Sequence, residues 1–159
     1  MINVILLGHG RLTEYGAKLI ADLSEEQMIA EPAPNMNHPA WVFSHLNAYL
    51  PIFQQLMKGE AFDDPKDHPF GMQSSPQGDR SIYPSKSEIL ETYTEGNKAA
   101  AELLKSLGVE ALQKPVQLER WKTTMPDSGS ALGYLMLAHH GTHLGQISAW
   151  RRALGLPSV

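Results

Sequence analysis

Three histidines in two segments of the chain have the spacing and setting of metal ligands. Residues 139–146 read HHGTHLGQ, so His139 and His143 are four positions apart, and side chains at that spacing share a face of a helix. His45 lies in an earlier helical segment that begins at Pro39. Three neutral imidazoles from two helices can bind one divalent metal and leave a coordination position open, as in catalytic rather than structural metal sites.

Both helical segments place these histidines at the centre of an apolar face. At roughly 100° per residue, one face holds Leu132, Met136, His139, His143, Ile147, Trp150 and Leu154. The other face holds His38, Trp41, Val42, His45, Tyr49, Ile52, Phe53 and Leu56. Buried histidines cost free energy unless each finds a partner. A shared metal supplies all three partners at once.

The remaining histidines have simpler interpretations. A single histidine on an apolar face is usually a core residue bonded to a backbone carbonyl. His140 is three positions from His143 and can also chelate, but it falls about 80° from the centre of the face, which predicts a supporting or solvent-facing side chain. His38 precedes Pro39, so it should mark the start of a helix. His9 and His68 are expected at the surface or in loops.

Length, composition and charge narrow the class of protein. A chain of 159 residues that is 42% hydrophobic and 19% charged is expected to form one globular domain over residues 1–159. Its formal net charge is −4, and it has no cluster of Lys and Arg beyond Arg151 and Arg152. This pattern argues against a nucleic-acid partner.

The cysteine count and the amino-terminal segment limit the possible chemistry and the expected cellular compartment. The chain has no cysteine, which excludes disulfides, thiolate metal ligands and a cysteine nucleophile. The apolar run from Val4 to Leu7 is too short for a signal peptide or a membrane span. A cytoplasmic protein without a membrane partner is therefore expected.

Helical periodicity and helix-terminating residues predict four helices. They run from about Asn3 to Leu23, from Pro39 to Met57 with a kink at Pro51, from Ser85 to Leu107, and from Ser128 or Ser130 to Leu154. Ser24 and Gln27 form a capping pattern for a short extra turn. Four helices of roughly 20 residues predict an all-α four-helix bundle with long connections after helices 2 and 3. Inward-facing side chains on neighbouring helices build the metal sites of such bundles.

The two long connections differ in composition. Residues 59–84 include Pro65, Pro69, Pro76 and Pro84, and ordered loops of this length in a compact domain are often functional. Together with Trp41 and Tyr49, this loop is a candidate wall for a pocket above the metal. Residues 116–125 of the second connection can include a short extended stretch.

The chain resembles the DinB-like (YfiT-like) superfamily of bacterial four-helix proteins over nearly its full length. The resemblance is carried by Asn37, by WVFSHL at residues 41–46 and by HHGTHLGQ at residues 139–146. It implies that His45, His139 and His143 hold a divalent metal. Imidazole ligands suit zinc or nickel. Many members have Arg where this chain has Leu144, which weakens any role assigned to that side chain but leaves the three ligands intact.

The resemblance implies several classes of activity. The superfamily includes metal-dependent transferases and isomerases that use low-molecular-weight thiols, hydrolases and many members of unknown reaction. The expected function is an enzyme in which the metal lowers the pKa of a small thiol, or of water in a hydrolase. The alternatives are a non-catalytic metal-binding or stress-related protein and, least favoured, a metal-free helical dimer. No general base stands out near the histidines, and Gln146 can orient a ligand but cannot transfer a proton.

The first helix predicts an interface between two copies of the chain. Val4, Ile5, Leu6 and Leu7 are consecutive, so they cannot all face one core. An apolar surplus often marks an interface, and members of the resembled family often pair. A two-fold homodimer is the expected form.

Overall fold

Four helical stretches form the bundle in the computed structural model, which describes residues 2–159. The first is α1 (Ile2–Ala21), the second is divided into α2 (Pro39–Ala48) and α3 (Leu50–Lys58), and the third is α4 (Lys86–Leu107). The fourth consists of α5 (Ser128–Gly133), a π-helical segment (Tyr134–His139) and α6 (His140–Ala153). Residues 2–159 contain no β-strand, and the predicted all-α four-helix bundle is confirmed.

Local sequence signals account for most helix ends. Ser85 and Glu88 form a reciprocal capping box at the start of α4, which satisfies backbone N–H groups that a helix leaves free. Gly59 ends α3 with a φ of 73°, a left-handed conformation that glycine adopts without steric cost. Ser24 and Gln27 bond reciprocally before the short 3₁₀ turn Gln27–Ile29, as their pattern predicts.

The second helix is interrupted at Tyr49 rather than continuous from Pro39 to Met57. Tyr49 ends α2 and precedes α3, in which Pro51 occupies the first turn. Proline has no N–H to continue the helical ladder, but it fits the first turn of a new helix. The predicted apolar face is nevertheless buried along its whole length, from His38 to Leu56.

The fourth helix contains a π-helical segment that periodicity does not predict. This segment, Tyr134–His139, lies immediately before α6, and the wider π turn shifts every later side chain around the helix axis. The buried face therefore continues through Met136, His140, Leu144, Ile147 and Arg151. The prediction that His139 and His143 lie at the centre of the buried face is wrong, because both are half-buried, and Leu154, predicted on the same face, is exposed.

Two other histidines are buried against expectation. His140 is 2% exposed and its Nε2 lies 2.6 Å from the Tyr93 hydroxyl oxygen, because the π turn rotates it into the core. His9 is 1% exposed and its Nδ1 lies 3.3 Å from the Met136 carbonyl oxygen. A surface or loop position was expected for His9, but α1 packs this face against the fourth helix.

The interior is built from two apolar clusters. One lies around α3 and α5 and contains Phe53, Leu56, Leu104, Trp121, Leu132 and Met136. The other lies around α1, α2 and α6 and contains Leu19, Trp41, Phe43, Tyr93, Ile147 and Trp150. α1 packs on α4 and α6, and α2 packs on α4. This packing brings α2, which carries His45, into contact with α6, which carries His143 and directly follows His139.

The two long connections are ordered by short turns. Residues 59–84 contain the 3₁₀ turns Pro65–Asp67 and Arg80–Ile82. In the second connection, the short extended stretch predicted within residues 116–125 does not form, and an isolated bridge joins Pro115 and Asp127 on either side of it. Between these two residues, Glu119–Trp121 forms a 3₁₀ turn.

Among residues 2–159, no helix is long and apolar enough to cross a membrane. The apolar run at the start of α1 divides as expected, since Ile5 is 3% exposed whereas Val4 and Leu7 are 68% and 67% exposed. The exposed pair lies outside the bundle core.

We expect Gly16 to be essential for the close approach of α1 and α4. A Cβ at this position would overlap the ring and hydroxyl of Tyr93, which is fully buried. Gly16→Ala should therefore destabilise the protein by about 1–3 kcal/mol, as overpacking does. Gly10→Ala is the matched control in the same helix, because its Cβ would meet no atom within 4 Å, and it should stabilise α1 by up to about 1 kcal/mol. Equal urea midpoints for the two variants would contradict this packing.

Candidate metal centre

The structure brings His45, His139 and His143 together at the junction of the second and fourth helices. The Nε2 atom of His139 lies 3.0 Å from that of His45 and 3.2 Å from that of His143. One ligand atom from each of the three side chains lies within 4.8 Å of the others. Nitrogens that bind one tetrahedral zinc ion at about 2.0–2.1 Å are about 3.3 Å apart. The three-His group could therefore hold a metal ion.

A backbone carbonyl orients the imidazole of His45. Its Nδ1 lies 2.6 Å from the carbonyl oxygen of Phe70, in the loop of residues 59–84. Because a carbonyl only accepts, Nδ1 must carry the proton and donate it. The lone pair of His45 is thus left on Nε2, which faces the other two histidines.

Gln146 orients His143 in the same way. Its Oε1 lies 3.0 Å from Nδ1 of His143 and also accepts a hydrogen bond of 3.2 Å from the amide of Asn37. The oxygen holds the proton of His143 on Nδ1 and leaves Nε2 as a lone-pair donor. Asn37 and Gln146, which both carry the family resemblance, therefore help to orient His143, which carries it too.

The three Nε2 atoms at the centre of the cluster have too few protons to form hydrogen bonds with one another. With His45 and His143 protonated on Nδ1, two Nε2 lone pairs point toward His139. At most one proton, on His139 Nε2, is available for hydrogen bonds among the three Nε2 atoms. A cation bound by three lone pairs satisfies every nitrogen, so the donor set fits a metal ion.

Burial keeps the site uncharged. It lowers the pKa of His45 to about 4 and that of His139 to about 3, with a smaller contribution from the neighbouring imidazoles. Burial also lowers the pKa of His143, against the raising effect of its bond to Gln146. Neutral imidazoles at pH 7 are the form that binds metals.

Trp41 ties the site to the loop of residues 59–84. Its ring stacks on the His45 ring at a centroid distance of 4.9 Å and an interplanar angle of 15°. Its indole N–H donates a 3.0 Å hydrogen bond to the Ser74 hydroxyl, which donates in turn to the Gly71 carbonyl. The loop thus fixes His45 from two sides.

A pocket of about 630 Å³ opens in front of the histidines. All three side chains line it, and they are joined by Trp41, Tyr49, Met72, Arg120, Trp121, Thr124, Met125, Ser130, Tyr134 and Leu135. No aspartate or glutamate is among these lining residues. A volume of this size accommodates a small organic molecule next to the three imidazoles.

The pocket confirms part of the predicted wall and adds to it. Trp41 and Tyr49 line it as expected, and the loop of residues 59–84 contributes Met72. The second connection contributes Arg120 and Trp121, which were not anticipated because no periodicity relates that loop to the helices. The carbonyl of Phe70 was also missed, since any residue type carries one.

The other histidines lie outside the cluster. His38 caps the start of α2, where its Nδ1 accepts a 3.2 Å hydrogen bond from the Trp41 N–H, as its position before Pro39 predicts. His68 is exposed in its loop, also as predicted. His140 points away from the cluster to Tyr93.

Comparisons with known proteins agree with this architecture. A family model described as the DinB superfamily matches residues 12–147, which include all three histidines of the cluster. Searches of curated proteins and of solved structures give no match. Because the family model covers most of the chain, the chain belongs to the DinB superfamily.

Proposed function

We propose that His45, His139 and His143 bind one divalent metal ion, with zinc or nickel as the ions that best suit three imidazoles. The observation that carries the proposal is the convergence of three Nε2 atoms, two of which are held as lone-pair donors by Phe70 and Gln146. Three protein ligands leave a tetrahedral ion one ligand short. The pocket in front of the histidines gives a small molecule access to that position.

We further propose that the protein is an enzyme that activates a low-molecular-weight thiol for transfer to a second small molecule. When bound, the metal supplies a positive charge that favours the thiolate over the thiol. The chain's own residues hold the imidazoles in orientation and supply a mainly apolar pocket. The cytoplasm, where small thiols are kept reduced, is the compartment that we propose.

The composition of the pocket favours a thiol over water as the nucleophile. Activation of water for hydrolysis is commonly assisted by a carboxylate or histidine base. The lining has no carboxylate, and its three histidines are the proposed ligands. A metal-dependent hydrolase is therefore the second candidate, and a metal-binding protein without turnover is the third.

A conjugation assay tests the proposed activity. The metal-loaded protein, the metal-free protein and a His143→Ala variant would be incubated with a panel of small thiols and a chromogenic electrophile. We expect conjugation above the spontaneous rate only with the metal-loaded wild type. If all three preparations match the spontaneous rate for every thiol, while ester substrates are cleaved by the loaded protein, the hydrolase is correct. Absence of both reactions would favour the non-catalytic alternative.

Gln146 should tune metal affinity without being a ligand. Gln146→Leu removes the oxygen that holds His143, and loss of such an outer partner typically weakens metal binding roughly 10–100-fold. Gln146→Glu retains an acceptor oxygen and should bind metal at least as well as the wild type. Competition with a chromophoric chelator measures the affinities, with the exposed Gln113→Leu as control. Wild-type affinity in Gln146→Leu would contradict the assigned orientation of His143.

We also propose that two copies of the chain associate through the exposed face of α1. Val4 and Leu7 are large apolar residues that the core of one copy leaves exposed, and pairing would remove them from water. Light scattering at micromolar concentration should give the mass of a two-fold dimer. Val4→Glu combined with Leu7→Glu should shift it toward the monomer, and a monomeric wild type would refute the proposal.

A further inference from the structure

Tyr49 occupies a special position beside the three histidines. It stands at the break between α2 and α3, four residues after His45. Its ring lies 5.1 Å from the His45 ring and 4.8 Å from the His139 ring, measured between centroids. It therefore contacts two of the proposed metal ligands on the side that lines the pocket.

The hydroxyl group of Tyr49 has no partner within the described part of the chain. The residue is 5% exposed. Its hydroxyl forms no hydrogen bond with residues 2–159, and the hydroxyl oxygen is not among the fully enclosed polar atoms of the described chain. The group therefore opens to the pocket that the residue lines. Buried hydroxyls normally have a partner. A tyrosine hydroxyl carries its proton at neutral pH and can donate it to a ligand.

Most other polar groups of the wall are already occupied or more exposed. The exception is the indole N–H of Trp121, which also has no partner among residues 2–159, but its ring packs on Phe62 rather than on the histidines. The Thr124 hydroxyl donates to the Trp121 carbonyl, and the Ser130 hydroxyl donates to Asp127. Arg120 donates two hydrogen bonds to the carboxylate of Asp64, which neutralises the only charged side chain of the lining. Tyr134 is 50% exposed at the mouth.

The remainder of the lining is mainly apolar, with two indole rings and two thioether side chains. Trp41, Trp121, Met72, Met125 and Leu135 supply most of it. Aromatic and thioether side chains bind apolar bodies well. With its single cation paired, this wall favours an uncharged ligand over one that carries a formal charge.

We propose that Tyr49 is the residue that selects the ligand of the metal centre, by donating a hydrogen bond to a carbonyl-type oxygen next to the ligand's metal-binding atom. The ligand class is an uncharged thiol with an amide or ketone oxygen close to its sulfur and an apolar body. The inference rests on the proposed metal site, and it deepens that proposal by naming the chemistry that the pocket recognises.

A matched pair of thiols tests the role of Tyr49. The probes are 2-mercaptoacetamide, which carries the acceptor oxygen, and 1-propanethiol, which is of similar size and lacks it. Their dissociation constants would be measured from the visible spectrum of the cobalt-substituted protein. One hydrogen bond contributes about 1 kcal/mol, so Tyr49→Phe should weaken binding of 2-mercaptoacetamide roughly 5- to 10-fold. Binding of 1-propanethiol should be unchanged, and Tyr15→Phe, which removes a tyrosine hydroxyl outside the pocket, should leave both constants as in the wild type.

The outcomes separate this inference from the function on which it rests. If the wild-type cobalt protein binds neither thiol, the proposed function fails. If both thiols bind and Tyr49→Phe leaves their ratio unchanged, the metal site stands and the role of Tyr49 is overturned. Equal weakening of both thiols would show that the hydroxyl supports the site's structure instead of the ligand, and it would also overturn the proposal. Cobalt content, measured for each variant, confirms that the metal site is intact.

Discussion

Replacement of His143 by alanine should abolish stoichiometric metal binding. The proposed site has three imidazoles whose ligand atoms lie within 4.8 Å of one another. The substitution removes one of them and leaves two. The loss of affinity should exceed the roughly 10–100-fold that removal of an outer-shell partner costs. Elemental analysis of protein purified without an affinity tag, after saturation with zinc or nickel and gel filtration, measures the metal-to-protein ratio.

The control for this experiment is His68→Ala, which also removes one imidazole. His68 is exposed in the loop of residues 59–84 and is not in the three-His group. Its replacement should leave one metal per chain. Full retention of metal in His143→Ala would show that His143 is not a ligand, and loss of metal in both variants would point to an effect on the loop.

Removal of the metal should lower thermal stability. A ligand that binds only the folded state stabilises it by about 3 kcal/mol at a hundredfold excess over its dissociation constant. For a chain of this size the melting temperature should fall by roughly 6–12 °C. Differential scanning calorimetry of the zinc-loaded protein before and after chelation measures the change. An unchanged melting temperature after verified removal would contradict binding at the half-buried cluster.

Acid should act in the same direction as the chelator. The folded pKa values of His45 and His139 are lowered to about 4 and about 3, below the ordinary value of 6.5. At pH values between the lowered folded pKa values and 6.5, the unfolded chain binds more protons than the folded chain. The free energy of unfolding therefore falls as the pH drops below about 6.5. Protons also compete with the metal for the same nitrogens. The melting temperature should therefore fall in acid for both forms, and the difference between them should shrink.

The sequence was sufficient for the fold because its helix ends are marked by local chemistry. Ser85 with Glu88 and the glycines Gly59 and Gly108 act through bonds or backbone angles within a few residues, so no tertiary information is needed to recognise them. The face of the second helix was also predicted, from His38 to Leu56. Here the break at Tyr49 leaves the apolar periodicity intact.

The register of the fourth helix could not be predicted in this way. An ideal rotation of about 100° per residue placed His139 in the core and His140 at its edge, whereas the π turn Tyr134–His139 reverses the two. A π turn is rare and has no local marker comparable to a capping box or a terminal glycine. The same turn places His139 and His143 at the wall of the pocket, a position that the ideal helical register does not predict.

Contacts from distant loops were the other part that the sequence did not reveal. The Phe70 carbonyl that orients His45 depends on the path of a loop rather than on a side chain. Arg120 and Trp121 reach the pocket from a connection with no helical period. Asn37 and Gln146 were visible as part of the resemblance, but their shared hydrogen bond becomes apparent only when α2 and α6 pack together.

Titration of the cobalt-substituted protein with a small thiol tests the central claim, an open metal centre held by His45, His139 and His143. Three protein ligands leave one position for an exogenous ligand. We expect one cobalt per chain, an intense thiolate-to-metal absorption band that grows and saturates on addition of 2-mercaptoacetamide, and no such band in His143→Ala. A spectrum that stays unchanged with every small thiol at full cobalt occupancy would contradict an open centre.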